Sequence, residues 1–219
     1  MSTGNTTHTI VLLIKFGSEV DMRDLLERGT IYMNTIEFFR RIEDGQLRGD
    51  NYEGVTKIWN LPAGQFQIPE IDFKGNYISM HLSESYTKIL GNIYCLYCIS
   101  SHGFERPSDV KLDSRVSQFG THGVIIKNLP AFFSRIETSA KLLGYSLKHD
   151  FVEYYKKMGV NKEISIFEKP DDFSYQKEFR FFIHQDNQLP IKFQIGCLKD
   201  IAEMVTIDVL MNLTLKSNA

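Results

Sequence analysis

Apolar residues along this chain fall into short runs of two different periods, and glycine or proline separates most of the runs. Thr9 to Phe16 is nearly continuously apolar, which predicts a strand buried on both faces. Gly17-Ser18 breaks it. Ser18, Glu19, Val20 and Asp21 form a helix-start signal, Leu25 and Leu26 follow on the apolar stripe, and Gly29 stops the helix. Thr30 to Met33 reads as a short strand. Thr35 is placed to cap a second helix in which Ile36, Phe39 and Ile42 share a face, with its exit at Asp44-Gly45. Runs at 55–60, 65–73, 76–82, 92–100 and 122–127 predict strands. Asn128-Leu129-Pro130 opens a helix that reaches Leu143 before Gly144. Asp150 to Met158 reads as a further short helix closed by Gly159. The remaining runs, at 162–168, 174–184, 190–196 and 204–215, are mostly β. The expected architecture is α+β, a mainly antiparallel sheet (single, or split into two) with short flanking helices. Residues 1–8 are expected to form a disordered lead and residues 9–219 a single domain.

Composition narrows the function classes. With 42% hydrophobic residues among 219, the chain has enough apolar material for a full core. A net charge of -2 removes any global basic excess that would mark a nucleic-acid binder, although a local basic groove stays open. The first residues lack a basic targeting region, and the run Ile10 to Ile14 is far too short to span a membrane. The expectation is a cytoplasmic protein with no membrane contact. Cys95 and Cys98 form a Cys-x-x-Cys, but they sit in a β-rich run where a spacing of three puts the thiols on opposite faces. No second Cys/His pair lies at zinc spacing, so both read as core residues in a reducing compartment.

The chemistry is expected in the segment Phe173 to Ile183. Period-2 alternation puts Gln176, Glu178, Arg180 and Phe182 on one face, and Tyr175, Lys177, Phe179, Phe181 and Ile183 on the other. So aromatic a run belongs in a core, yet one face carries an amide, a carboxylate and a guanidinium. Burying these groups costs several kcal/mol unless they are paired or used. A second polar concentration, Arg48 to Glu53 between glycines, looks more like a site loop than a connector.

The opening unit resembles the N-terminal unit of ADP-ribosyltransferase-like folds. It runs from a strand through Lys15-Phe16-Gly17 to a helix with Leu25-Leu26, then Gly29-Thr30-Ile31-Tyr32-Met33-Asn34. Gln176-Lys177-Glu178 is similar to the Gln-x-Glu signature of that family. Asn76 to Ser83 lies where the family places a central strand with a polar motif. The family's first strand usually carries Arg or His, and Lys15 stands there in this chain. The runs Asp24 to Asn34 and Tyr175 to Arg180 also look like uncharacterised bacterial proteins, some of which act as toxins in phage-defence operons.

The resemblance implies NAD as cofactor and transfer of ADP-ribose to a macromolecule, protein or nucleic acid. Glu178 would be the catalytic carboxylate and Gln176 would orient the acceptor. Lys15, Tyr32, Arg48 and Arg180 would hold NAD, and Asp50 and Glu53 would face the substrate. A toxin of this kind implies a neutralising antitoxin protein.

Other readings of the same residues stay open. Glu178 and Arg180 also fit a salt bridge on a half-exposed sheet, with Gln176 solvated beside it. Arg48, Asp50 and Glu53 also fit a surface turn held by its own charges, and Lys15 a snorkelling strand end. A non-catalytic binding module would use the strand and loop to recognise a partner. A nuclease would gather Asp50, Glu53 and Glu178 around a divalent metal. The six histidines are scattered, with His184 at most a distant accessory base, and no Gly-x-Ser-x-Gly elbow or dinucleotide glycine loop is present.

Overall fold

A computed structural model describes residues 9–42, 52–85, 90–101 and 111–214. The architecture is α+β, with mainly antiparallel sheets and several short helices. β1 (Ile10–Gly17) leads into α1 (Glu19–Arg28), β2 (Thr30–Thr35) and α2 (Ile36–Arg41). Two strand pairs follow, built from β3 (Val55–Leu61), β4 (Gly64–Ile68), β5 (Phe73–Tyr77) and β6 (Met80–Ser85). Next come β7 (Asn92–Ser100), β8 (His122–Ile126) and α3 (Leu129–Leu142). β9 (Leu147–Phe151), β10 (Glu153–Tyr155), β11 (Lys162–Glu163), β12 (Glu168–Pro170) and β13 (Glu178–Ile183) lie beyond α3. β14 (Ile191–Gln194), β15 (Ala202–Thr206) and α4 (Ile207–Met211) close the described chain.

Local chemistry sets the helix ends. The Ser18 hydroxyl accepts the Asp21 amide at 3.2 Å, the Thr35 hydroxyl accepts Phe38 N–H at 3.1 Å, and the Asn128 side chain accepts Ala131 N–H at 3.1 Å. Each satisfies one of the donors that a helix start leaves over. Gly29 ends α1 at φ 65, and a Cβ there would lie 2.1 Å from the Gly196 carbonyl oxygen. Only glycine fits that turn.

Eight strands form the main sheet, in the order β14-β2-β7-β1-β8-β15, with β13 paired to both β7 and β9. One face packs against α1 and α3 through Leu13, Leu96, Phe181, Met22, Phe132 and Ile136. The rings of Phe132, Phe133, Phe179 and Phe181 meet at 5.5–6.4 Å between centroids, mostly edge to face. That geometry suits the aromatic quadrupoles. The other face is covered by Val116, Phe173, Tyr175 and Leu210, packed on Ile14, Tyr97 and Ile99.

Several expectations are corrected: the runs 65–73 and 76–82 divide among β4, a 3-10 turn, β5 and β6, and 162–168 is strand only at its ends. Asp150 to Met158 is not a helix: Leu147–Phe151 and Glu153–Tyr155 are strands, because β9 pairs residue for residue with β13 and Phe151 packs edge-on to Phe179. The run 204–215 is a strand only to Thr206, after which α4 turns away. The strand expected over 174–184 begins at Glu178, and Asp171–Gln176 forms a short 3-10 helix. Residues 1–8, expected as a lead, lie outside the described residues. Among the described residues no helix is long and apolar enough to cross a membrane.

Candidate active site

β1 and β2 both pair with one edge of β7, but at opposite ends. β1 takes Tyr97 to Ser100, while β2 takes Asn92 and Ile93. Tyr94, Cys95 and Leu96 between them face a gap instead of a strand. Peptide groups left without a ladder need other partners. The Lys15 ammonium supplies one, donating to the Cys95 carbonyl at 2.8 Å while lying 4.3 Å from the centre of the Tyr94 ring. The gap belongs to a cleft of about 850 Å³ whose walls include Lys15, Tyr32, Glu53, Lys169, Gln176 and Glu178.

The cleft reaches Gln176 and Glu178 through a backbone twist that period-2 alternation does not contain. Lys177, between them, is left-handed at φ 40. That conformation costs about 1–2 kcal/mol for a residue with a Cβ. Tertiary hydrogen bonds hold it. The Lys177 carbonyl accepts Cys98 N–H at 2.8 Å, Glu178 N–H donates to the Tyr154 hydroxyl at 2.9 Å, and the Glu178 carbonyl accepts Val152 N–H at 3.0 Å. As a result both side chains reach one ammonium: Lys169 Nζ donates to Gln176 Oε1 at 2.9 Å and to Glu178 Oε1 at 2.7 Å.

Beneath this contact four charged side chains form one connected set. Arg180 donates to Glu178 Oε2 at 3.0 Å and to both oxygens of Glu53 at 2.7 and 3.2 Å, and it also meets the Ile166 carbonyl. Lys169 stands 3.7 Å from Glu53. Two carboxylates face two cations, so the set is neutral, and all four side chains are buried. Burial alone would raise the Glu178 pKa, but Lys169 and Arg180, with hydrogen bonds from Lys169 and Cys95, outweigh it and hold the pKa at about 2. Glu178 is therefore a carboxylate at any physiological pH.

The residues singled out from the sequence divide into three groups. Lys15, Tyr32, Gln176 and Glu178 share the cleft, and Tyr32 is half exposed on β2. Glu53 also lines it, but both its oxygens are engaged by Arg180. Arg180 is fully buried below the cleft, its guanidinium joined to Glu53 and Glu178. Arg48 and Asp50 lie outside the described residues. The half-exposed sheet proposed for Glu178 and Arg180 is replaced by a buried one, and Gln176 is buried as well.

Cys95 and Cys98 lie on opposite faces of β7, and burial pushes each thiol up to about 12, Cys95 with help from the Glu178 charge. Neither is a thiolate. Among the described residues no group of three His, Cys, Asp or Glu side chains is placed to hold a metal ion. His184 is exposed beside Asp186 and does not line the cleft.

Lys169 and Tyr154 escaped the sequence reading. Lys169 sits in Glu168-Lys169-Pro170, with no motif around it. The available signal was electrostatic, since a buried Glu178 beside one arginine and a second acid requires another cation. Comparison with known protein families, curated proteins and solved structures yields no match.

Proposed function

We propose that the chain is an ADP-ribosyltransferase-like enzyme that takes NAD as glycosyl donor and modifies a macromolecule, protein or nucleic acid. The observation that carries this reading is the placement of Glu178, an ionised carboxylate in a cleft shared with Gln176, Tyr32 and Lys15. A volume of about 850 Å³ falls within the range of small-molecule sites. The bond to be broken joins ribose C1′ to the nicotinamide nitrogen. Its electron pair leaves with nicotinamide, and the ribose becomes oxocarbenium-like, as in glycoside cleavage.

Glu178 stabilises that developing positive charge. Its oxygens have about four lone-pair sites. Lys169, Arg180 and the Cys95 thiol each take one, which leaves one for a ribose hydroxyl. Gln176 orients the acceptor, whose lone pair bonds to C1′ and whose proton passes to solvent. Tyr32 offers a face for nicotinamide. Lys15 and Lys192, both on the cleft wall, offer positive charge to the pyrophosphate. Such a reaction harms the cell that makes it. The reading therefore places the protein in the bacterial cytoplasm, as a toxin of a defence or toxin–antitoxin system with a neutralising partner.

The test is incubation of the protein with labelled NAD and cell lysate. Glu178→Gln is expected to lower label transfer about 100-fold or more. Because this change leaves the buried set with one excess positive charge, Lys169→Met/Glu178→Gln serves as the charge-balanced control, with circular dichroism reporting the fold. Wild-type transfer no greater than that of a folded Glu178→Gln variant would sink the proposal.

A further inference from the structure

One side chain outside the sequence motif joins the two residues assigned to the reaction. Lys169 Nζ lies 2.9 Å from Gln176 Oε1 and 2.7 Å from Glu178 Oε1, and the lysine is 4% exposed. Its strand is itself held in place: β12 runs parallel to β10 with Lys169 opposite Tyr154. Tyr154 in turn takes the main-chain N–H of Glu178 at 2.9 Å. Two neighbouring residues of one strand pair thus grip Glu178, one by its backbone and one by its carboxylate.

We propose, on the basis of the transferase reading, that Lys169 is a positioning residue that sets the placement of Gln176 relative to Glu178 by bridging their side-chain oxygens. Gln176 precedes the left-handed Lys177 and Glu178 follows it, so no regular backbone repeat fixes the distance between the two side chains. The ammonium does. It also orients the Gln176 amide: Oε1 faces the ammonium, and the NH2 turns toward the Tyr175 hydroxyl at 3.5 Å. An arginine at this position would keep the charge but replace a point donor with a planar fork, so charge and geometry are separable. The groups facing the Glu178 carboxylate are Lys169 from β12, Arg180 from its own strand and Cys95 from β7, with Tyr154 from β10 at its amide and Glu53 across Arg180.

The experiment compares Lys169→Met, Lys169→Arg and Glu53→Gln/Lys169→Met, the last keeping the buried charges balanced, with Glu53→Gln as its reference. In steady-state turnover of NAD, removal of Lys169 is expected to lower kcat about 100-fold, with KM changed by less than about threefold. The acid limb of the kcat profile is expected to move to higher pH, because Glu178 has lost one of its two cations. Lys169→Arg should restore the acid limb but only part of kcat. A folded Glu53→Gln/Lys169→Met variant with the kcat and acid limb of Glu53→Gln overturns the proposal. If the wild-type chain turns over no NAD, the transferase reading fails, and carbon-13 titration of the Glu178 carboxyl decides the bridge separately. An upward shift on loss of Lys169 supports it, and an unmoved carboxyl overturns it.

Discussion

Two regions of this protein invert the usual placement of polar and apolar side chains, in opposite senses. Under the cleft, Glu53, Lys169, Glu178 and Arg180 are buried although all four are charged. In the β4–β5 hairpin and its flanks, Phe66, Ile68, Phe73, Ile71 at 69% and Ile78 at 90% exposure are apolar and face solvent. The difference lies in what surrounds each region. β13 has a strand on both sides and a covered face, so its polar side chains must find partners within the protein, and each carboxylate meets both cations. Among the described residues β4 and β5 pair only with each other. Their apolar side chains meet one another, as Phe66 meets Phe73 at 5.8 Å. Depth in the sheet decides burial, and residue type decides what burial costs.

Removing a cation from the buried set tests the first half of that contrast most severely. Among the described residues Arg180→Met leaves Glu53 and Glu178 with Lys169 as their one cation, and the expected loss is about 3–5 kcal/mol in urea denaturation. A loss below about 1 kcal/mol, the scale of an exposed pair, would mean that water reaches these charges.

Acid probes the same set without mutation. The folded Glu178 pKa, about 2, lies below the unfolded value of 4.5. Between those values the unfolded chain binds the extra proton, so its stabilising contribution is complete above 4.5 and lost as pH falls toward 2. At about 1.4 kcal/mol per unit, the contribution is about 3 kcal/mol. Denaturation curves from pH 6 to 2 (about one-unit steps) should show this fall, and its absence in Glu178→Gln would assign it.

The hairpin should give the smallest effect. Ile78→Ser is expected to change stability by no more than about 0.5 kcal/mol. A loss above about 2 kcal/mol would show that Ile78 is packed in solution, as a core residue is.

Much of the fold could be read from local chemistry. The expected strand over 92–100 matches Asn92–Ser100, and the caps at Ser18, Thr35 and Asn128 and the stop at Gly29 all act within a few residues of themselves. Readings failed where a distant partner outweighed a local pattern. Asp150 to Met158 carries helix-like punctuation, yet the edge of β13 draws its first half into the sheet. Gln176 and Glu178 do come together, but by a left-handed turn and a shared lysine and not by strand alternation.

By itself the sequence determined the helix starts at Ser18, Thr35 and Asn128, the stop at Gly29, several of the β runs, and that the Gln176 to Arg180 segment holds polar groups needing partners. Those properties depend on neighbours within about one turn or one pleat. Tertiary structure alone decided who the partners are. Glu53 and Arg180 stand 127 positions apart, and Lys15 reaches a carbonyl 80 positions away. The gap in β7 exists only because β1 and β2 take different ends of the same edge. Coulomb attraction and backbone satisfaction act through space, so a charge in the sequence announces a need, and the fold supplies its partner.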